Sequence, residues 1–213
     1  MREFDAVIFD LDGVICFTDE YHYQAWKAMA DSIGVPFDRE INNRLRGVSR
    51  MASLEIVLEK AHAKFSAAEK EALAEQKNEL YKKLLARMSP ADLSGEVKDA
   101  LDELRRRGYL LAIGSSSKNA PFILRQIGLG EYFDAVSDGN NINRSKPDPE
   151  VFEKAAQMLC IEPEHCLVVE DAVSGAEAAH RGGMKAACVG DASRVGAGEY
   201  NMKAVKDLLE ILP

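Results

Sequence analysis

An apolar run that ends in two aspartates constrains the fold more than any other feature of this sequence. Residues 6–9, Ala-Val-Ile-Phe, are typical of a strand buried on both faces of a parallel sheet. Asp10 and Asp12 follow at once, and the alternation of a strand directs both carboxylates to one side. Gly13 lets the chain turn sharply away from the sheet. Because ligands bind at the carboxyl ends of such strands, the pair predicts a site, although two surface aspartates opening a loop have the same pattern.

Apolar runs alternate with amphipathic stretches in the second half of the chain. Residues 109–114, 133–137, 166–169 and 185–189 have the composition of strands, and the segments between them have helical periodicity. Strands that alternate with helices of this length form a parallel sheet with helices on both faces. The run at 6–9 must join the same sheet, because alone it has no partner strand. The sequence therefore predicts an α/β fold with a Rossmann-like core.

A helical block separates the first strand from the others. Residues 20–33, 51–65 and 67–88 read as helices, the first capped by Thr18 or Asp19, and the block contains no convincing strand. Insertions at the carboxyl end of a strand commonly form lids over the site there. We therefore expect two structural units. Their predicted boundaries are 1–15 and 93–213 for the α/β core domain, and 16–92 for a small helical cap domain with its hinge segments.

Composition and charge argue against several classes of partner. The chain has 27 lysines and arginines and 35 aspartates and glutamates, a net charge of −8, which disfavours binding to nucleic acid. No apolar stretch approaches the roughly 20 residues of a membrane span, and the sequence starts without a signal-peptide pattern. The four cysteines form no CxxC pair, as is typical of reduced thiols. We expect a monomeric cytoplasmic protein that binds neither nucleic acid nor membrane.

Polar groups follow three of the later strands. Residues 115–119 are Ser-Ser-Ser-Lys-Asn, Lys146 lies in the next connection, and Glu170 and Asp171 end a third strand. Each is ordinary alone: a helix cap, a solvated lysine or a helix start. Together they fall on strand ends that a parallel sheet brings to one edge. An oxygen-rich set that is poor in His and Cys suits Mg²⁺ better than zinc.

The same groups suit the transfer of a phosphoryl group. Lysine, serine hydroxyls and the backbone N–H groups of a helix N-terminus bind an oxyanion. They also offset the repulsion between the phosphate and an attacking aspartate. Of two neighbouring carboxylates, one can be the nucleophile and the other the acid and base. Phosphoryl transfer through an aspartyl phosphate is therefore the predicted chemistry.

Four short segments occur in an order that is known from one superfamily. They are Phe9-Asp10-Leu11-Asp12-Gly13-Val14, Ser115, Lys146-Pro147 and Glu170-Asp171. They resemble the motifs of the haloacid dehalogenase superfamily of phosphotransferases, and their spacing spans almost the whole chain. The helical insertion after the first segment resembles the small cap of that superfamily.

Further segments narrow the resemblance. They are residues 18–22, Trp26-Lys27-Ala28, residues 47–50 with Ser53, residues 89–92 and residues 115–122. All are similar to segments of the β-phosphoglucomutase family, in core and cap alike. The resemblance implies a phosphosugar substrate and the interconversion of β-D-glucose 1-phosphate and D-glucose 6-phosphate through β-glucose 1,6-bisphosphate.

The resemblance also implies roles for the two aspartates and their acidic neighbours. Asp10 corresponds to the nucleophile and to a ligand of Mg²⁺. Asp12 corresponds to the acid and base on the sugar hydroxyl, and it ligates the metal through its backbone carbonyl. Glu170 and Asp171 complete the metal ligands.

Substrate-binding residues follow from the same resemblance. Ser115 and Lys146 hold the transferring phosphoryl group, Arg50 and the segment 117–119 hold the other phosphate, and His22 and Lys77 seat the sugar. The full predicted set is Thr18, His22, Trp26, Arg46, Gly47, Arg50, Ser53, Lys77, Ser115, Ser116, Ser117, Lys118, Asn119 and Lys146.

Two departures and two alternatives accompany this prediction. Arg46 stands where the family usually has lysine, and the two residues are not equivalent in a tight site. Cys16-Phe17 replaces a more polar pair in the hinge.

A sugar-phosphate phosphatase on the same scaffold needs only the site at Asp10, whereas Arg50 and its partners favour a mutase. A phosphosugar-binding protein without activity is the other alternative, and the intact aspartates and Lys146 argue against it.

Overall fold

A six-stranded parallel sheet organises the protein. In the computed structural model, which describes residues 2–213, the strand order is β3-β2-β1-β4-β5-β6 and every neighbouring pair is parallel. The first strand lies in the middle, with Ala6 opposite Leu110 on one side and Cys166 on the other. The strands are β1 (Ala6–Phe9), β2 (Leu110–Gly114), β3 (Ala135–Ser137), β4 (Cys166–Glu170), β5 (Lys185–Cys188) and β6 (Tyr200–Asn201).

Helices cover both faces of this sheet. Alternate residues of β1 belong to different hydrophobic clusters: Val7 packs in the cluster that includes Leu101, and Ile8 in the cluster that includes Phe152. The predicted α/β fold with a Rossmann-like parallel sheet is confirmed. From residue 95 onward the helices are α5 (Gly95–Arg106), α6 (Ala120–Gln126), α7 (Glu150–Leu159), α8 (Val173–Arg181), α9 (Gly190–Arg194) and α10 (Leu208–Ile211).

A block of four helices lies between β1 and β2. They are α1 (Asp19–Ser32), α2 (Arg39–Asn43), α3 (Arg50–Leu58) and α4 (Ala67–Leu85). Part of the block has its own apolar cluster, built around Trp26 and Leu54. The end of α4, through Tyr81 and Leu85, packs instead in the cluster that includes Val7 of the sheet. The block is thus joined to the sheet by packing as well as by the chain, and its treatment as a separate domain remains a proposal.

Several element boundaries differ from those predicted. The helix expected over 51–65 ends at Leu58, because residues 59–66 are mostly exposed and offer no buried face to stabilise further turns. A capping box of Ser66 and Glu69 then starts α4. The short β6 and α9 were not predicted, because elements of so few residues show no hydrophobic periodicity. Within residues 2–213, no helix is both long and apolar enough to cross a membrane.

Candidate functional site

The carboxyl ends of β1 and β4 form one edge of the site. Asp10 follows β1, and Glu170 is the last residue of β4. The ammonium group of Lys146 lies 2.5 Å from a carboxylate oxygen of each. All three side chains are buried, so the lysine offsets part of the repulsion between the two carboxylates. The structure therefore brings together three of the residues that the sequence singled out.

A single cavity of about 720 Å³ lies above this edge, between the sheet and the helical block. Lys146 is absent from its lining, since its side chain is buried against Asp10 and Glu170. The cavity is lined by all of the other predicted site residues: Asp10, Asp12, Thr18, His22, Trp26, Arg46, Gly47, Arg50, Ser53, Lys77, Ser115, Ser116, Ser117, Lys118, Asn119, Glu170 and Asp171.

Three carboxylates are arranged to hold a metal ion. Oxygens of Asp10, Glu170 and Asp171 lie within 4.8 Å of one another. Burial and the charges of Glu170 and Asp10 raise the pKa of Asp171 to about 8. A further positive charge would favour the ionised form of Asp171, and a hard divalent cation with oxygen ligands such as Mg²⁺ suits the three carboxylates.

The position of Glu170 is fixed by the backbone around it. Its second carboxylate oxygen accepts hydrogen bonds from the N–H groups of Asp171 and Ala172, both 2.9 Å long. A Cβ at Gly175 would lie 1.9 Å from Glu170 Oε1, so glycine alone leaves room for this carboxylate. The glutamate is thereby held between Lys146 and the carboxylate group of the candidate metal site.

Asp12 occupies a different environment from Asp10. Its Oδ1 atom accepts a hydrogen bond from the Thr18 hydroxyl. Burial and the charge of Asp10 raise the pKa of Asp12 to about 6, against the opposing effects of Thr18, Lys146 and Lys77. A carboxyl group with a pKa near neutrality is suited to both donating and accepting a proton.

Thr18 is the N-cap residue of α1, but its side chain does not bind the helix backbone. Thr18 occupies the N-cap position of α1 without a capping hydrogen bond, since its hydroxyl is engaged by Asp12. Asp19 is the first residue of the helix, and its carboxylate accepts a hydrogen bond of 3.0 Å from Asn42. The predicted N-cap position at Thr18 is confirmed, although its hydroxyl binds Asp12 and not the helix backbone.

The helical block contributes a buried cation surrounded by rings. Lys77 of α4 lies 3.0 Å from Nδ1 of His22, 4.2 Å from the centre of the Tyr81 ring and 4.9 Å from that of Trp26. Burial and the charge of Arg50 lower the pKa of Lys77 to about 7. Burial, followed by the nearby cations, also lowers the pKa of His22. Among residues 2–213, Arg50 pairs with Glu75, whereas no carboxylate lies within ion-pair distance of Lys77.

A chain of hydrogen bonds links Arg50 in the block to the loop after β2. Arg50 pairs with Glu75 at 3.3 Å. Asn78 donates to Glu75 at 3.2 Å and accepts from the side-chain amide of Asn119 at 3.1 Å. Asn119 in turn donates its backbone N–H to the hydroxyl of Ser117. Residues from both sides of the cavity therefore form one polar network.

Arg46 and its neighbours form the other contact between the block and the core. The Arg46 guanidinium lies 3.0 Å from Asp191, 3.4 Å from Asp171 and 3.7 Å from Asp19. The next residue, Gly47, has φ of +73°, and a Cβ there would lie 2.5 Å from the Ser174 hydroxyl of α8. Close approach of the block to the core thus depends on glycine at this position.

The comparisons with known proteins agree with this geometry. A sequence model of the haloacid dehalogenase-like hydrolases matches residues 4–183, which include β1, the helical block, Lys146 and the acidic end of β4. The chain belongs to the haloacid dehalogenase-like hydrolase family. The resemblance that the four motifs carry is therefore confirmed.

Relatives within the haloacid dehalogenase-like family include both mutases and phosphatases. The chain is 41% identical to a β-phosphoglucomutase of Bacillus subtilis over 97% of its own length and 93% of that protein. It is 32% identical to a fructose-1-phosphate phosphatase of Escherichia coli, over 87% of the chain and 96% of the relative. The crystal structure of a β-phosphoglucomutase from Clostridium difficile superposes with a TM-score of 0.91, at 33% identity, over 96% of this chain and 93% of that one.

Sequence reasoning missed four residues around this haloacid dehalogenase-like site. They are Glu75, Asn78, Tyr81 and Asp191, which contact Arg50, Asn119, Lys77 and Arg46 respectively. Asn78 and Tyr81 follow Lys77 on α4 at the next position and one turn later. A buried polar face on that helix was the signal, but helical periodicity alone does not tell which face meets the core.

Proposed function

We propose that this protein is a β-phosphoglucomutase, which interconverts β-D-glucose 1-phosphate and D-glucose 6-phosphate. The observation that supports the proposal is one cavity with two separate sets of groups that could bind phosphate. Ser115 lines the cavity near Asp10, which Lys146 contacts from outside the lining, and Arg50 is linked to Asn119 by the polar network. A mutase needs both sets, because its bisphosphate intermediate must bind in two orientations. The relative that is 41% identical over most of the chain has the same name.

The first half of the proposed reaction takes place at Asp10. A carboxylate oxygen of Asp10 attacks the phosphorus of a bound sugar bisphosphate, and the bond between phosphorus and the sugar oxygen breaks. Asp12 donates its proton to that oxygen as it leaves. Lys146 holds a positive charge beside Asp10 and stabilises the negative charge of the transferring group.

In the second half of the reaction, the proton moves in the opposite direction, from a hydroxyl at the other end of the glucose phosphate to Asp12. Asp12 accepts the proton of the sugar hydroxyl, whose oxygen attacks the phosphorus of the aspartyl phosphate and releases Asp10. The pKa of about 6 for Asp12 suits a group that must be protonated in one half and ionised in the other. Thr18 orients Asp12 through its hydroxyl.

We also propose that Mg²⁺ is the metal held at the sheet edge. Side-chain oxygens of Asp10, Glu170 and Asp171 would be its protein ligands, with the backbone carbonyl of Asp12. When bound, the ion would polarise the phosphoryl oxygens and offset charge in the transition state. The mutual proximity of the three carboxylates and the raised pKa of Asp171 support this proposal.

An assay of the purified protein with β-glucose 1-phosphate, Mg²⁺ and a trace of glucose 1,6-bisphosphate tests the function. We expect glucose 6-phosphate to accumulate, with little free phosphate. Asp10→Asn should lower the rate to below about one per cent and prevent formation of the phosphoenzyme. Asp5→Asn, which changes a more exposed carboxylate before β1, is the matched control. Release of free phosphate in place of glucose 6-phosphate would overturn the proposal.

A sugar-phosphate phosphatase is the second candidate, favoured by the relatives that bear that name. It would transfer the phosphoryl group from Asp10 to water and would need no second phosphate site. Arg50→Ala distinguishes the two functions, with Arg44→Ala as control because Arg44 forms an exposed ion pair with Glu59 in the same block. A mutase should lose sugar-phosphate turnover about 10- to 100-fold and retain hydrolysis of a small ester. Equal losses with both substrates indicate a phosphatase.

We further propose that the protein acts as a cytoplasmic monomer on a small phosphosugar. Every group in the mechanism above comes from one chain, and the net charge of −8 disfavours a polyanionic partner. Sedimentation of the purified protein at assay concentration tests the monomer. A sedimentation coefficient of a dimer at that concentration would contradict the proposal.

A further inference from the structure

We infer that Asn78 is a positioning residue that couples docking of the helical block to assembly of the second phosphate site. This inference rests on the proposed function, because it assigns Arg50 and Asn119 to the phosphate that is not transferred. Arg50 belongs to the block, whereas Asn119 precedes α6 of the core. The two can hold one phosphate only when block and core have one fixed arrangement.

The side chain of Asn78 uses both ends of its amide. It is 4% exposed, its nitrogen donates to Glu75 at 3.2 Å, and its oxygen accepts from Asn119 at 3.1 Å. A carboxylate can only accept and an ammonium group can only donate, so neither could make both contacts, whereas the amide donates to one neighbour and accepts from the other. Asn78 therefore links Glu75 of the block to Asn119 of the core.

Glu75 extends this contact to Arg50. Its carboxylate lies 3.3 Å from the Arg50 guanidinium and also accepts from Asn78. Burial lowers the pKa of Arg50, and the Glu75 charge acts in the opposite direction. Because Glu75 is itself largely exposed, its own ion pair contributes little to stability. Its effect is to fix where the guanidinium lies relative to Asn78.

The Asn78–Asn119 hydrogen bond crosses from the block to the core. If the block moves away, the two amide groups exchange this contact for water, which costs about 0.5–1.5 kcal/mol. The docked arrangement is then favoured by the same contact that sets the distance between Arg50 and Asn119. Docking and alignment of the second phosphate site are one event.

Two substrates and one variant test this inference. We expect Asn78→Ala to lower kcat/KM for β-glucose 1-phosphate about 10- to 100-fold, because misplaced binding groups cost that much. Hydrolysis of p-nitrophenyl phosphate, which needs only the site at Asp10, should stay within about twofold. Glu79→Gln changes an exposed residue of the same helix and should leave both rates within about twofold. Equal losses with both substrates, or no loss with either, overturn the inference.

A double-mutant cycle separates positioning from general damage to the fold. Asn119→Ala should remove most of the effect of Asn78→Ala, since either change breaks the same contact. Additive losses overturn the role of that contact.

Hydrogen exchange provides a readout that does not depend on the proposed function. The backbone N–H of Ser49 donates to the Ser145 hydroxyl across the same interface, so its exchange reports docking of the block. In Asn78→Ala it should exchange about 5- to 10-fold faster, as expected for one lost hydrogen bond. Unchanged exchange overturns the coupling, even if the wild-type protein is a mutase. If the wild-type protein proves to be a phosphatase, faster exchange still supports coupled docking, and only the assigned ligand is wrong.

Discussion

Two lysines, one in each part of the molecule, are almost equally buried and have opposite surroundings. Lys146 of the core is 2% exposed, and its ammonium group contacts the carboxylates of Asp10 and Glu170. Lys77 of the helical block is 3% exposed and contacts His22 and two aromatic rings. Within residues 2–213 no carboxylate lies within ion-pair distance of Lys77.

The pKa values of the two lysines follow from this contrast. Burial lowers the pKa of both, but the two carboxylates more than reverse that effect at Lys146. At Lys77 the charge of Arg50 adds to burial, and the pKa falls to about 7. Lys146 is thus paired with carboxylates of the core, whereas Lys77 has no such partner among residues 2–213. A buried cation without a partner is expected where the counter-charge arrives with an anionic substrate.

Removal of the balanced lysine should have the largest effect on folding. Lys146→Met leaves Asp10 and Glu170 buried beside each other without a cation, and we expect the free energy of unfolding to fall by about 3–5 kcal/mol in Mg²⁺-free buffer. Urea denaturation measures the change. Lys98→Met, which breaks an exposed pair on α5, is the control and should cost less than about 1 kcal/mol. Comparable losses in both variants would show that Lys146 is not balanced by its neighbours.

The charges of both lysines lower the pKa of Asp12, and this residue provides the next test. Asp12→Asn removes the titratable group and keeps its size, and we expect turnover of β-glucose 1-phosphate to fall about 10²- to 10⁴-fold. Formation of the phosphoenzyme should become slow but remain detectable after rapid quenching. Asp31→Asn, on the exposed side of α1, should have no such effect. A turnover within about threefold of wild type would remove Asp12 from the acid and base role.

Removal of the unbalanced lysine should have a smaller effect, of opposite sign, on stability. We expect Lys77→Met to raise the free energy of unfolding by about 1–3 kcal/mol at pH 6, although it should impair sugar-phosphate turnover. Below pH about 7 Lys77 is charged in both the folded and the unfolded state, so the full penalty for burying it is present. Above that value the folded state releases the proton first, and the penalty disappears near the ordinary lysine pKa of about 10.4.

Urea denaturation at several pH values checks this prediction. The difference in stability between Lys77→Met and wild type should shrink steadily as the pH rises from 7 to 10. Lys82→Met, an exposed lysine of the same helix, should give a small difference that does not follow this trend. A destabilised Lys77→Met protein at pH 6 would show that the lysine has a counter-charge in solution.

The contact at Arg46 should give the smallest effect. Arg46→Lys keeps the charge but loses the fork that reaches both Asp171 and Asp191. Since the arginine is partly exposed, we expect a rise in KM of about two- to fivefold with kcat nearly unchanged. Asp191→Asn should produce a similar rise. A loss in kcat without a change in KM would indicate that Arg46 acts on the transferring phosphoryl group instead.

The sequence predicted the core half of the site better than the block half. Asp10, Lys146 and Glu170 were linked because each lies at or beyond the carboxyl end of a strand, and these ends meet at one edge of a parallel sheet. Asn78 had no such signal, and Asp191, although it follows the predicted strand 185–189, gave no indication that it would contact Arg46. Their importance depends on how two separately formed surfaces meet, which no local pattern encodes. The partner of the Thr18 hydroxyl could not be predicted for a related reason, since a hydroxyl before a helix has the same sequence whether it binds the backbone or a distant carboxylate.

The central position of β1 governs when the site can exist during synthesis. Its residues leave the ribosome first, yet Ala6 must wait for Leu110 and Cys166 before it has neighbours on both sides. Contacts of such high sequence separation form slowly, because a long loop must close before they form. The helical block is one continuous segment and can begin to fold earlier. A nascent chain that ends at the block would therefore carry both aspartates and have no active site.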